Sequence, residues 1–186
     1  MIKIERTETP NFLKDNYKKW GREYKENKFQ FSKHNKYNEI RKHLELLTNN
    51  HCSFCDGHPL GAQSRKTVEH FRPKSKFPLL AFVWHNLFIC CDSCQSAKGD
   101  KFDKKLLKPD RDEYCFSHFF IYIRYEGKIK INPNASNDDQ QRAGMTIELY
   151  DLNRKDLMDS RKLLFKYYKN HKRLEINDMP YRFMFL

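Results

Sequence analysis

The chain has 186 residues, which is enough for one domain with a buried core but tight for two independent domains. Its 36 lysines and arginines outnumber 24 acidic residues, and the net charge of +12 favours a polyanionic partner such as nucleic acid. The longest run without a charged residue, 77–91, falls short of the ~20 residues of a membrane span, which argues against a membrane protein.

The first fifty residues predict a helical N-terminal arm. They are charged from Lys3 onward and lack the apolar stretch of a secretory signal, so we expect a cytoplasmic protein. Residues 11–28 predict one helix with an aromatic stripe, and residues 34–47 predict a second helix with an apolar stripe. The stripe residues are Tyr17, Trp20 and Tyr24 in the first helix and Tyr37, Ile40, Leu44 and Leu47 in the second.

Beyond residue 50 the pattern changes twice. Residues 51–103 lose the helical period, with a turn predicted at 56–61 and a strand at 67–71. A pattern of period two then predicts a β-hairpin whose turn needs the positive φ that Gly127 supplies. Helices are predicted at 138–150 and 155–170. The alternating residues of the hairpin are Phe116, Phe119, Ile121, Ile123, Tyr125, Ile129 and Ile131.

The cysteines predict a metal site. Four of them form two pairs with the same two-residue gap, Cys52 with Cys55 and Cys91 with Cys94. In a reducing compartment such pairs indicate thiolate ligands rather than disulfides. Four sulfurs around Zn²⁺ make a closed, structural site, because no position remains for water.

Other cysteines and histidines lie near these pairs. Cys90 and Cys115 are predicted to be apolar core thiols, since only the pairing of Cys91 with Cys94 repeats the two-residue gap. His51 and His58 flank the first pair and are alternative ligands, although we expect them to be surface histidines.

The segment between the pairs has the residue types that phosphodiester cleavage requires. Neutral histidine is a suitable general base near neutral pH, which makes His70 the candidate base. A hard cation such as Mg²⁺ or Mn²⁺ prefers oxygen ligands, and Glu69 and Gln95 offer a carboxylate and an amide oxygen. One geometric objection is that neighbouring residues of a regular strand point to opposite faces.

These motifs resemble the HNH nucleases of the ββα-metal fold. The matching pieces, in order, are "CSFC", "VEHFRPKS", "WHNLFIC" and "CDSCQSAKG". The resemblance implies that a twisted strand end lets Glu69 and His70 border one site. It also implies that Asn86 braces the loop carrying the base, that Lys98 contacts phosphate, and that Arg72 and Lys74 line the path of the substrate. Gln95 stands where the family usually has Asn or His, which puts metal affinity in doubt.

A looser resemblance extends to the PtuB-like nucleases of Septu-type and retron-associated anti-phage systems. It rests on "EHFRPKS" and on the downstream "TIELYDLN" with Leu157 and Arg161. It implies an effector nuclease that cuts DNA, with RNA kept open, and a partner ATPase of the ABC/SMC class (PtuA-like).

The predicted fold is α+β, with a ββα-metal core, Cys₄ zinc knuckles, flanking helices and an added β-hairpin. Residues 1–50 form the arm, 51–110 the core, and 111–186 a hairpin with C-terminal helices packed as one unit with the core. Two other functions fit the same composition. One is a non-catalytic zinc module that binds nucleic acid, which would not need the set of Glu69, His70, Asn86 and Gln95. The other is an interaction subunit that docks a larger ATPase.

Overall fold

The computed structural model describes residues 1–62, 64–170 and 175–185 of the chain. The described residues form a mixed α and β structure, as predicted. The helices are α1 Asn11–Lys14, α2 Tyr17–Lys25, α3 Tyr37–Leu47, α4 Asp92–Lys98, α5 Phe116–Phe119, α6 Asn137–Leu149 and α7 Lys155–Asn170. The strands are β1 Lys66–His70, β2 Leu87–Cys91, β3 Phe120–Ile123 and β4 Lys128–Ile131. Short 3₁₀ turns occur at Phe31–Lys33, Pro78–Leu80, Trp84–Asn86, Ile176–Asp178 and Arg182–Phe185.

The predicted helix 11–28 is interrupted, which corrects the sequence-based expectation. The break falls at Asp15 and Asn16, and the Asn16 side chain donates to the Phe12 carbonyl at 2.9 Å. Side chains of this kind compete with the backbone for its partners, so they favour helix ends over helix interiors. Leu13 in α1 lies four residues before Tyr17 in α2, so the helical spacing of apolar residues continues across the break and conceals it.

The second predicted helix begins three residues later than expected, at Tyr37. The Lys36 amide donates to His34 Nδ1 at 3.2 Å, which holds the chain in a turn before α3. The helix ends as predicted at Leu47, and Asn49 and Asn50 then adopt positive φ angles of 49° and 59°. Asparagine tolerates this conformation better than most residues with a β-carbon.

Strands β1 and β2 form an antiparallel pair with α4 directly after β2. The register places Glu69 opposite Phe88 and His70 opposite Leu87. Every residue of β2 is buried, and both α3 and α4 contact this strand. This strand pair and the helix behind it position the candidate site.

The second hairpin differs from its prediction at one end. Residues Phe116–Phe119 form the short helix α5 rather than a strand, and Phe116, Phe119 and Phe120 are all buried. Phe119 and Phe120 lie three and four residues after Phe116, which is a helical spacing, so Phe116 does not belong to the period of two that begins at Phe119. The turn at Gly127 has a φ of +66°, as predicted, and a β-carbon there would clash with the Met158 carbonyl of α7.

The C-terminal helices lie close to their predicted positions. Helix α7 spans Lys155–Asn170 as predicted, and α6 differs from its prediction by one residue at each end. Ser136 caps α6 by accepting from the Asp139 amide. None of the helices in the described ranges has the length and apolar character that crossing a membrane requires.

Candidate metal centre and adjacent pocket

The two cysteine pairs meet in space. Their four sulfurs lie within 4.8 Å of one another, and all four residues are buried. Cys55 Sγ lies 3.8 Å from Cys91 Sγ, which matches the sulfur separation of about 3.8 Å in a tetrahedron with Zn–S bonds of about 2.3 Å. We call Cys52, Cys55, Cys91 and Cys94 the four-cysteine cluster. The cluster has the ligand type and spacing to bind a metal ion such as zinc.

The backbone holds the sulfurs in place. The Cys91 amide donates to Cys52 Sγ at 3.5 Å, and the Cys94 amide donates to Cys91 Sγ at 3.4 Å. Cys91 also caps α4, so the second cysteine pair is the beginning of that helix. On the other side, the Ser53 amide donates to the Ile89 carbonyl at 3.0 Å, which fastens the first pair to β2. A bound metal would therefore fix α4 against the strand pair.

The remaining cysteines and the flanking histidines give mixed results. Cys90 is buried as predicted, whereas Cys115 is exposed and the prediction of a core thiol is wrong. His51 is fully buried, which contradicts the expected surface position. Its Nε2 lies 3.0 Å from the Met179 carbonyl and its Nδ1 lies 2.8 Å from the Asn49 carbonyl. The ring stacks on His58 rather than joining the cluster.

A pocket of about 180 Å³ lies at the end of β1, beside α4. Three of the four residues predicted to be catalytic, Glu69, His70 and Gln95, line it together. His70 is the last residue of β1, so the strict alternation of the strand ends there and adjacent side chains reach one pocket. The other lining residues are Pro73, Lys74, Gly99 and Asp100, and we call the whole the candidate pocket.

His70 is held as a neutral imidazole. Its Nε2 donates to the Ala81 carbonyl at 3.0 Å, which assigns the proton to Nε2 and leaves the lone pair on Nδ1. Nδ1 has no partner among the described residues and is not enclosed by protein, so it is accessible from the candidate pocket. Burial, then Lys74, lowers the pKa of His70 to about 3. Phe31 covers another side of the ring, with ring centroids 4.5 Å apart.

Lys98 is buried, so it does not have the accessible position that the predicted contact with phosphate requires. It has no exposed surface, and its Nζ donates to Glu69 Oε1 at 2.6 Å and to the His70 carbonyl at 3.0 Å. The predicted contact with phosphate is thus replaced by a buried ion pair with Glu69. Burial raises the pKa of Glu69, and Lys98 is the largest influence that opposes this rise.

Gln95 approaches Glu69 from α4. Its Nε2 donates to the Val68 carbonyl at 3.0 Å, which leaves the amide oxygen available as an acceptor. Gln95 and Lys98 are three residues apart and therefore share the face of α4 that contacts β1. One helix thus brings both an amide and a cation to the Glu69 carboxylate.

Asn86 fastens the loop that follows His70. Its Oδ1 accepts from the Arg72 amide at 2.8 Å, and its Nδ2 donates to the carbonyls of Arg72 at 3.0 Å and Leu80 at 3.1 Å. Arg72 itself is exposed, with its guanidinium 5.8 Å from the Phe77 ring and 5.6 Å from the Phe102 ring. Lys74 borders the candidate pocket.

Two residues beside this pocket escaped sequence reasoning. Asp100 adds a second carboxylate, delivered by the turn at Gly99, whose φ is +51°. The local signal for it is a glycine directly after a helix, which marks a sharp change of direction. Phe31 comes from the N-terminal arm, and no local pattern links it to His70.

No family model matches the chain. The chain is similar to Septu protein PtuB of Bacillus thuringiensis. The two sequences are 30% identical over 105 residues, which make up 56% of this chain and 35% of that protein. The chain thus matches about a third of the length of its relative.

Proposed function

We propose that this protein is a divalent-metal-dependent HNH endonuclease with a ββα-metal core, acting as a nuclease in anti-phage defence. The observation that carries the proposal is that Glu69, His70 and Gln95 line one pocket next to the four-cysteine cluster. The similarity to Septu protein PtuB supports the defence role, and the partner we propose is an ATPase of the ABC/SMC class.

The strand pair followed by α4 supports the ββα-metal assignment. In our proposal, zinc in the four-cysteine cluster anchors α4, and α4 in turn carries Gln95 and Lys98 to β1. The cluster is a closed site, so its role is structural rather than catalytic. The chemistry belongs to the candidate pocket.

His70 acts as the general base in this proposal. Its Nδ1 lone pair accepts a proton from a water in the candidate pocket, while the Ala81 carbonyl fixes the ring through Nε2. A pKa of about 3 keeps the ring unprotonated but makes it a weak base, so a bound cation would be needed to lower the pKa of that water. Asn86 keeps the loop after His70 in place through the Arg72 backbone. Phe31 and Ala81 restrict the ring so that Nδ1 keeps its direction.

Glu69 and Gln95 hold the catalytic cation, with Asp100 as a further carboxylate at the rim of the same pocket. Carboxylate and amide oxygens suit Mg²⁺ or Mn²⁺. When bound, such an ion supplies stabilisation of negative charge on the scissile phosphate. Lys98 keeps Glu69 ionised despite its burial, so the carboxylate retains its negative charge.

The substrate we propose is DNA, with RNA as the second substrate to test. The net charge of +12 attracts either polyanion. Arg72 is exposed on the loop after His70 and Lys74 borders the pocket, so both are positioned to meet phosphates that approach the base.

Metal-dependent cleavage tests the proposal. The full chain, alone and mixed with a candidate ATPase of the ABC/SMC class from the same genome, is incubated with plasmid DNA and with RNA in Mg²⁺, in Mn²⁺ or without added divalent cation. We expect cleavage of at least one nucleic acid with either cation and none without added cation. If both nucleic acids remain intact with the ATPase and either cation present, the protein is not a nuclease of this kind.

A further inference from the structure

Two arginines lie on one side of the four-cysteine cluster. Arg154 directly precedes α7 and Arg161 is seven residues further on, so two helical turns place them on the same face. Arg154 Nη1 points at Cys94 Sγ, at 3.8 Å. Arg154 also borders a cleft of about 610 Å³ that reaches Cys55 and Cys91. It therefore covers the open side of the cluster.

Arg161 is the buried member of the pair. Its side chain has no exposed surface, yet no carboxylate pairs with it among the described residues. Nη1 donates to the carbonyls of Leu152 at 2.8 Å and Gly127 at 3.3 Å, while Nε and Nη2 have no hydrogen-bond partner in the described part of the chain. A buried cation is costly unless an opposite charge lies nearby. The countercharge of Arg161 must come from another kind of group.

The four-cysteine cluster is the candidate for that countercharge. Four thiolates around one Zn²⁺ leave two uncompensated negative charges. The Tyr181 ring, 5.5 Å from the Arg161 guanidinium, is also close to Cys55, because a β-carbon on Gly57 would touch both Cys55 Sγ and Tyr181. Burial lowers the pKa of Arg161, and the Cys55 sulfur is the largest of the influences that oppose this.

Asp56, an acidic residue next to the cluster in the sequence, is already paired with another arginine. Asp56 follows Cys55 and accepts two short bonds from Arg182, one from the backbone amide and one from Nη2, both 2.6 Å. It is therefore unavailable to neutralise Arg161. Arg154 pairs with the exposed Asp156, at 3.3 Å, whereas Arg161 has no carboxylate partner among the described residues. The zinc-loaded cluster, with its two negative charges, is the charged site that both arginines can still serve.

We propose that Arg154 and Arg161 together neutralise the zinc-loaded four-cysteine cluster and determine how tightly it holds its metal. Arg161 acts from the protein interior and Arg154 from the cleft. This inference rests on the structural metal site and is independent of nuclease activity. Groups just outside the ligand set of a metal site typically change its affinity by about 10- to 100-fold.

Zinc retention tests the proposal. The variants are Arg154→Met and Arg161→Met, which remove charge at similar length, and Arg154→Lys and Arg161→Lys, which keep it. Arg142→Met is the control, because Arg142 pairs with Asp139 on α6. Zinc transfer to a chromophoric chelator is measured for each purified protein. The thiolate-to-metal charge-transfer bands are recorded after Co²⁺ replaces zinc.

We expect each methionine variant to hold zinc about 10- to 100-fold more weakly than wild type, with shifted Co²⁺ bands. The lysine variants should stay much closer to wild type, which separates lost charge from lost packing. Retention of zinc by both methionine variants as tight as in Arg142→Met would overturn the proposal. If Arg161→Met fails to fold, Arg154→Met decides alone: weaker zinc binding supports the proposal and unchanged binding overturns it.

Discussion

Lys98 Nζ lies 2.6 Å from Glu69 Oε1, and both side chains are buried beside the candidate pocket. The ion pair joins the last residue of α4 to β1, so it links the helix behind the four-cysteine cluster to the proposed catalytic carboxylate. It also opposes the rise that burial causes in the pKa of Glu69. Lys98 therefore binds the proposed metal ligand Glu69 rather than the phosphate of the substrate.

Removal of that cation is the first prediction. Lys98→Met should lower the free energy of unfolding by about 3–5 kcal/mol, because it leaves the Glu69 charge buried without a partner. The double variant Glu69→Met with Lys98→Met should recover much of this loss, since both charges are gone. Neither protein should cleave nucleic acid. Urea unfolding and cleavage assays measure the two effects.

Lys101→Met is the matched control, because the Lys101 side chain is exposed and donates to a backbone carbonyl, that of Ala97 at 3.1 Å, rather than to an acid. It should keep both stability and cleavage. A Lys98→Met protein that cleaves at the wild-type rate would show that Glu69 does not need this partner.

The brace at Asn86 makes a second prediction. Asn86→Asp preserves the shape and the acceptor for the Arg72 amide, but it removes the donor for the carbonyls of Arg72 and Leu80. We expect a loss of stability of about 1–3 kcal/mol and slower cleavage, because the loop after His70 loosens. Thermal or urea unfolding and initial cleavage rates check both. Asn35→Asp, at an exposed turn, should change neither quantity. If Asn86→Asp matches Asn35→Asp in stability and in cleavage rate, Asn86 does not hold the loop after His70.

The four-cysteine cluster makes a third prediction. Elemental analysis of protein purified without added metal should give about one zinc per chain, and Cys52→Ser should lose both zinc and cooperative unfolding. Cys115→Ser is the control, because Cys115 is exposed and away from the cluster. Folded Cys52→Ser protein without zinc would contradict a structural metal site.

A fourth prediction concerns the approach of nucleic acid. Binding should weaken steeply with salt, because lysine and arginine release counterions from the phosphates. Replacing Arg72 and Lys74 together by alanine should reduce the slope of log K against log salt by about 2. The measurement uses His70→Ala protein without added Mg²⁺ or Mn²⁺, so that the nucleic acid stays intact and the zinc stays bound. Lys42→Ala, on exposed α3 surface, should leave the slope unchanged. An unchanged slope in the double variant would remove both residues from the interface.

The sequence predicted what depends on local spacing. The matched gaps of the cysteine pairs anticipated the cluster, and the pattern of residues 155–170 gave the bounds of α7. Gly127 marked the hairpin turn because such a turn needs a positive φ, and its φ is +66°. Each of these features is specified within a few residues of the chain.

What the sequence did not predict depends on contacts distant in the chain. Lys98 reads as a surface lysine until β1 packs on α4, and Phe31 reaches His70 only because the N-terminal arm folds over β1. The buried ring of His51 has its Nε2 3.0 Å from the carbonyl of Met179, which is 128 residues away in the chain. The helix at 116–119 was missed because Phe116 was grouped with the alternating residues that begin at Phe119, although a separation of three residues is helical.

The most direct test of the central claim compares plasmid cleavage by His70→Ala and His85→Ala with that of wild type, in Mn²⁺ and with the ATPase present. His85 is the matched control, because its side chain is exposed and it does not line the candidate pocket. We expect the cleavage rate of His70→Ala to fall by at least about 100-fold, while His85→Ala cleaves at the wild-type rate. Cleavage by His70→Ala at the wild-type rate would contradict the claim.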